Sequence, residues 1–269
     1  MAQWREELEI KLKGAPADIV ALRRSGLFEA LGAGPPVVER LDSTYYDTSD
    51  RAIAAAGASL RLRKEAGGLV QAVKSKCDGG GVVSRAEEEQ ALASEAEFPA
   101  PFDGGALMAL VDERGGISPV ARTVADRWTL VVKKSGARIE VAFDLGRAEA
   151  WRDGGPAAFG TLAEAELELV DGRPDGLFDV ARLCLKEGAG RLRLAGASKE
   201  EEARRLIEGG PWLQPEPALR LNARASAGDA LAAALMSTAL RLIDVAPAVT
   251  ELRLAEGAHQ MRVALRRLR

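Results

Sequence analysis

Glu7, Glu9, Lys11 and Lys13 alternate with Leu8, Ile10 and Leu12 near the amino terminus. Successive side chains of a β-strand point to opposite faces, so the charged residues share one face and the aliphatic residues the other. Two carboxylates one residue apart lie roughly 7 Å from each other along a strand, close enough to converge on one or two hard divalent cations. The lysines beyond them favour an anion. A face that asks for a metal and an anion together points to a metal-bound phosphate ligand.

Five later segments repeat the pattern. SLRLRK sets Arg61 and Arg63 against Leu60 and Leu62, and VKSK adds Lys74 and Lys76. In VVSRAEEE, Val83, Arg85, Glu87 and Glu89 share a face; in RIEVAFDLG, Arg138, Glu140 and Asp144 stand opposite Ile139, Val141, Phe143 and Leu145. AEAELELV brings Glu164, Glu166 and Glu168 together. Strands of this kind make either a very polar exterior or a charged interior. A closed barrel whose outward apolar side chains are covered by helices keeps the charges inside, as a tunnel. Helical spacing over 17–31, ending near Gly32 and Gly34, and over 174–186, with Leu177, Val180, Ala181 and Leu185 on one side, supplies the covering helices.

Composition narrows the chemistry. The 269 residues are 47% hydrophobic and 29% charged, enough to bury a core. His259, the single histidine, lies near the far end, which excludes a histidine-based acid–base or Ser-His-Asp site in the barrel. Cys77 and Cys184 have no partners at metal-ligand spacing and read as reduced thiols, and Gly79, Gly80 and Gly81 read as a hairpin turn. Trp4, Arg5 and Glu6 stand where a signal peptide needs an apolar run, so a cytoplasmic location is expected, with no membrane partner. The net charge of -3 argues against general nucleic-acid binding. An apolar strand edge or helix serves a dimer as well as a core, so a homodimer stays open.

The motifs ELEIK, YYDT at Tyr45 to Thr48, SLRLRK, VKSK, SRAEEE, RIEVAFDLG, AELELV and LRLAGASK together resemble, in order and spacing, the CYTH domain of the triphosphate tunnel metalloenzymes. The chain is similar in particular to the bacterial inorganic triphosphatases that carry a CHAD domain behind it. The resemblance runs from Glu6 to about Arg205. It implies an α+β fold built on a closed antiparallel barrel of about eight strands, with helices outside and a short helical segment at the C-terminus. It also implies hydrolysis of inorganic triphosphate, or a related polyphosphate, to pyrophosphate and phosphate with Mg2+ or Mn2+. Thiamine triphosphatase, nucleotide triphosphatase or adenylate cyclase activity on the same fold, and a polyphosphate-binding module with little catalysis, are the alternatives.

Carried over residue by residue, the resemblance makes Glu7 and Glu9 a metal-binding pair and Asp144, Glu166 and Glu168 the acids opposite, with Glu164 an ambiguous third. One ion falls to Glu7, Glu9 and an acid of the Glu166/Glu168 strand, a second to Asp144 and Glu168. The phosphate contacts are Lys11, Arg61, Arg63, Lys74, Lys76, Arg85, Arg127 and Lys199, with Arg40, Arg138 and Arg193 as further candidates and Glu87 and Glu89 bracing the basic residues. Glu7, Glu9, Lys11, Asp144 and Glu168 form the expected catalytic set.

Glycine and proline between Glu208 and Pro217 mark a linker. The expected organisation is a tunnel domain over 1–205, a linker over 206–222 and helices over 223–269. The latter cover 227–245 and 256–269, the second with His259, Arg262, Arg266 and Arg269 on one stripe. That stripe resembles the helix that opens the CHAD domain, so the chain is expected to stop early within one.

Overall fold

The computed structural model describes residues 5–76, 84–102, 106–208, 219 and 224–269; Cys77, the Gly79–Gly81 turn and most of the expected linker lie outside them. Chain order is β1 (Arg5–Lys13), α1 (Pro16–Arg24), α2 (Leu27–Ala30), β2 (Val37–Asp47), α3 (Ala52–Ala55), β3 (Ala58–Glu65), β4 (Gly68–Lys76), β5 (Ser84–Leu92) and α4 (Ala106–Glu113). Then follow β6 (Ser118–Lys134), β7 (Ala137–Arg152), β8 (Gly155–Asp171), α5 (Pro174–Glu187), β9 (Arg193–Ala195), α6 (Lys199–Glu208), α7 (Ala227–Thr250) and α8 (Ala255–Arg267).

The strands pair in the order β5-β4-β3-β2-β6-β7-β8-β1-β9, and a further β5–β1 pairing closes the first eight into a ring. Closure is short: Arg5 to Leu8 lie opposite Glu87 to Ser84. Farther along the same edge of β1, Lys11 to Lys13 pair with Ala195 to Arg193 of β9. The expected barrel is therefore present, with a short ninth strand taking over part of the edge that closes it.

Alternation sorts the side chains by face. Ile10 and Leu12 of β1, Ile139, Val141 and Phe143 of β7 and Ala165 and Leu167 of β8 form an outer core with Ile19 and Leu22 of α1, Phe28 of α2 and Leu177, Val180 and Cys184 of α5. Phe28 meets Phe143 edge to face at 5.3 Å, and burying each such side chain stabilises the fold by about 1.5–3 kcal/mol. Burial pushes the Cys184 thiol up to about 12, which keeps it an unreactive packing residue. A second outer cluster joins Ile53 of α3 and Val111 of α4 to Leu60 and Val73 on β3 and β4.

The spacing over 17–31 predicts one helix, but the chain forms two, broken at Ser25 and Gly26. The Ser25 hydroxyl donates to the Leu22 carbonyl at 2.8 Å, giving the backbone an alternative to a further helical turn. The 174–186 helix is present as α5. The YYDT motif has a structural role at its end: Asp47 accepts from the backbone N–H groups of Ile53 and Ala54 at 2.9 and 3.1 Å, and Thr48 Oγ1 accepts from Ala52 N at 2.8 Å. Asp47 and Thr48 thus satisfy the first turn of α3.

Helix α6 enters the barrel. Its Ala203 packs with Tyr45, Val120, Ala121 and Ala148, and Leu206 lies where a Cβ on Gly160 of β8 would fall, 2.8 Å away. Small residues on the inner face make room for it. A Cβ on Gly146 of β7 would overlap the Val124 carbonyl, so glycine there lets β6 and β7 approach. Behind the barrel, α7 starts at a capping box on Ser226 and Asp229, runs through Pro247 beyond the expected end at Val245, and packs against α8, where Gly257 admits Ala248. Among the described helices α7 alone is long and apolar enough, by length and composition, to cross a membrane. Arg193 of β9 holds Glu251, just past α7, in an ion pair.

Glu200, on the first turn of α6, is 5% exposed. Burial pushes its carboxyl from 4.5 up to about 7, against the pull of Arg204 and Arg51. A folded-state pKa above the unfolded one means stability that is full below pH 4.5 and lost as pH rises through about 7. Glu200→Gln should therefore raise the melting temperature, relative to the unchanged chain, by a few degrees more at pH 8 than at pH 5, a gain of roughly 3 kcal/mol at most. Thermal unfolding at the two values measures it; equal shifts at both would contradict the assignment.

Candidate active site in the tunnel

Register places the charges in rows around the lumen. Across β1, β8 and β7, Glu9 faces Glu168, which faces Glu140; one row on, Lys11 faces Glu166; one further, Lys13 faces Glu164, which faces Asp144. Asp144 faces Arg127 on β6. On the other wall Lys74 of β4 stands opposite Glu87 of β5, and Arg61 of β3 opposite Tyr45 of β2. Apart from Lys13, Glu164 and Asp144, these side chains line a cavity of ≈ 310 Å³.

Nearly every cation meets a carboxylate. Lys74 Nζ lies 2.9 Å from Glu7 and 3.0 Å from Glu87. Arg61 reaches Glu87 and Glu89 at 3.3 and 3.1 Å, and Arg63 reaches Glu89 at 3.2 Å. Arg127 donates twice to Asp144, at 2.7 and 2.6 Å, and once to Glu166 at 2.6 Å. Lys199, carried in at the start of α6, puts Nζ 3.0 Å from Asp144, 2.5 Å from Glu164 and 2.7 Å from Glu166. Lys11 completes the cluster, 3.1 Å from Glu166 and 3.7 Å from Glu164.

Electrostatics follow from this pairing among largely buried side chains. Burial disfavours the charges of Lys11, Lys199 and Arg127, but Glu164 and Glu166 facing the lysines, and Asp144 facing the arginine, hold all three more firmly charged than usual. Burial likewise opposes ionisation of Glu166 and Asp144, and Lys199 with Arg127 overrides it, keeping both carboxylates ionised below their ordinary range. Lys13 goes the other way: burial lowers it to about 8 despite Glu164. Burial and the hydrogen bond to Glu87 raise Glu7, whereas Glu87, despite burial, is lowered by that bond and by Lys74 and Arg61.

Glu7, Glu9, Lys11, Arg61, Arg63, Lys74, Arg127, Glu166, Glu168 and Lys199 all line the cavity, with Asp144 buried directly behind. The side chains of Lys76 and Arg85 lie outside those described; the backbone sets Arg85 opposite both Glu7 and Lys76. Arg40 pairs with Asp126 on the exposed surface, Arg138 is exposed and Arg193 turns to Glu251, so none of these three lines the cavity. The expected second metal pair, Asp144 with Glu168, is corrected by the register: Glu168 stands four residues along β8 from Glu164, the partner of Asp144, a separation of roughly 13 Å.

Asp144 instead joins Glu164 and Glu166, whose ligand oxygens lie within 4.8 Å of one another, the one such carboxylate group among the described residues. Its all-oxygen donors suit a hard divalent cation. Lys199 Nζ presently sits among them, so an ion there requires that lysine to withdraw. Glu164 was legible only as one of three alternating acids; Glu140, Tyr45, Ser59 and Ser198, also on the cavity wall, carried no site signal of their own beyond strand alternation and the YYDT and GASK motifs.

Removing Arg127 leaves the fully buried Asp144 with Lys199 alone. Arg127→Ala should cost about 3 kcal/mol of stability, and adding Asp144→Asn should restore a large part of it. Chemical denaturation of the single and double variants measures this; additive losses would contradict the pairing.

A profile of the CYTH domain matches residues 5–205. A sequence comparison with curated proteins finds no match. Among solved structures, the chain is similar to a Hippeastrum protein described as a candidate adenylyl cyclase with a dominant triphosphatase activity (21% identity, 74% of this chain and 95% of that one, TM-score 0.48). It is also similar to a protein of Pyrococcus horikoshii OT3 (19%, 76% and 99%, TM-score 0.45) and to a candidate adenylate cyclase of Bacillus halodurans (15%, 69% and 91%, TM-score 0.43). With its profile match spanning the whole barrel and α6 as far as Arg205, the chain belongs to the CYTH domain family.

Proposed function

We propose that the tunnel hydrolyses a linear triphosphate, with inorganic triphosphate as substrate, Mg2+ or Mn2+ as cofactor, and pyrophosphate and orthophosphate as products. The charge balance of the lumen carries this reading. Among the described lining residues seven carboxylates face six cations, and Asp144 and Glu164 behind them also hold Lys199, so acids outnumber bases there. A triphosphate brings about four to five negative charges. Its oxygens would take over the donors of Lys11, Arg61, Arg63, Lys74, Arg127 and Lys199, and the carboxylates so released need countercharge. Divalent cations meet that need.

The donor set divides along the tunnel: Glu7, Glu9 and Glu168 toward one end, Asp144 and Glu166 with Glu164 toward α6. Ions bound there would supply Lewis-acid polarisation of phosphoryl oxygens. The arginines grip phosphate oxygens with paired donors, and the lysines act as compact charges that follow a moving phosphoryl group. Phosphoryl transfer asks the protein chiefly for positioning and charge stabilisation, so no nucleophilic side chain is required. Lys76 and Arg85 are proposed as further phosphate contacts. Tyr45 is the single aromatic on the described wall, which favours a ligand without a ring over a nucleotide or thiamine compound. The exposed stripe of His259, Arg262, Arg266 and Arg269 supports reading 223–269 as a CHAD-like helical segment.

Release of phosphate from inorganic triphosphate, with Mg2+ or Mn2+ against a chelator and beside ATP, thiamine triphosphate and long polyphosphate, tests the assignment; binding without turnover of any of these would overturn it. Glu7→Gln should lower metal-dependent turnover by at least about a hundredfold with folding intact, read from steady-state kinetics and circular dichroism. Arg61→Ala should raise KM about tenfold or more, and more at low salt than at high salt because screening weakens the remaining field. A salt-independent loss would point to misfolding.

A further inference from the structure

Beyond α6, at the end of the barrel away from the tunnel, lies a second cavity of ≈ 300 Å³ between the loop before α3, the β7–β8 turn and α6 itself. Tyr45 lines the tunnel and Val120 lines this cavity. Both belong to the apolar cluster that includes Ala203 of α6, so the two spaces stand on opposite sides of one plug.

The wall of the second cavity is built from donors. Arg51, Arg152 and Arg204 reach it from three separate segments, with Asp153 the one acidic residue among the described lining residues. The indole Nε1 of Trp151 is buried and has no acceptor among the described residues. The Arg152 side chain forms no hydrogen bond or ion pair with a described residue, Arg51 Nη1 lies 3.8 Å from Glu200, and Arg204 Nε lies 3.7 Å from the same carboxylate. Ser49 and Ser118 add hydroxyls at the rim. Arg51 is also held in left-handed backbone, φ 61°, by the same Asp47 and Thr48 network that caps α3 and by its own N–H donating to Thr48 O at 3.0 Å. Such a conformation is uncommon for a residue with a long side chain, and structures retain it where position matters.

Guanidinium forks with an indole N–H match the oxygens of a tetrahedral oxyanion, which accepts from several directions at once. We propose that this cavity is a second anion site, for orthophosphate or the terminal phosphoryl group of pyrophosphate, separate from the tunnel. It goes beyond the hydrolase reading and stands whether or not that reading holds.

Nitrogen–proton correlation spectra of the full chain test it through the indole resonance that Trp151→Phe removes. Addition of orthophosphate or pyrophosphate should shift that resonance. Arg51→Gln with Arg152→Gln should weaken the titration by at least about tenfold, and Arg152→Gln alone, at the exposed end of β7, carries the test with the melting temperature unchanged, because Arg51 also faces the buried Glu200. Arg61→Gln with Arg63→Gln, which strips two cations from the tunnel, should leave the Trp151 titration as it was. The proposal falls if neither anion moves the Trp151 resonance, or if its movement follows the tunnel pair and ignores Arg152.

Discussion

The constraint on which the rest of the structure depends is that charges taken out of water must be paired. A barrel interior filled with arginine, lysine, glutamate and aspartate is affordable only if each finds an opposite charge across the lumen. Arg127 answers Asp144 and Glu166, Lys74 answers Glu7 and Glu87, and Lys199 answers three acids at once. Strand register is the instrument of that pairing, because a slip of one residue would turn every such group outward and every aliphatic partner inward. The apolar outer face, locked under α1, α2 and α5, prevents the slip.

Pairing has a further effect. Side chains held by carboxylates on neighbouring strands are already extended into the lumen when a ligand arrives, so little rotamer freedom remains to be lost. The acids thereby serve two ends: they make the empty tunnel tolerable, and they hold the cations in place. Lys199 differs from the rest because it stands on a helix that enters through one end of the ring, whereas the other cations of the lumen rise from strands.

Much of this was legible in the sequence because period-two alternation is a local signal. ELEIKLK, SLRLRK, RIEVAFDLG and AELELV each declare which residues share a face, and the barrel follows from burying both faces. What alternation does not encode is depth along the tunnel. Glu164, Glu166 and Glu168 look equivalent in the sequence; only the pairing of Glu164 with Asp144 and of Glu168 with Glu9 separates them, and that register is set by long-range contacts. The position of α6 was hidden for a related reason, since its run of glutamates reads as a solvent-facing helix. The break at Ser25 and Gly26 was hidden by apolar spacing that continues across it.

The divided edge of β1 shapes the order in which this fold can assemble. Glu9 to Lys13 find their partners only in Glu168 to Glu164 and in β9, so the first strand of the barrel waits for nearly its last. Until then its aliphatic face and one open backbone edge are exposed, the condition in which strands misassociate and in which non-local topology slows folding. Glu7, Glu9, Lys11 and Lys13 therefore have work before there is a tunnel: a β-strand carrying a charge at every second position is a poor template for another copy of itself.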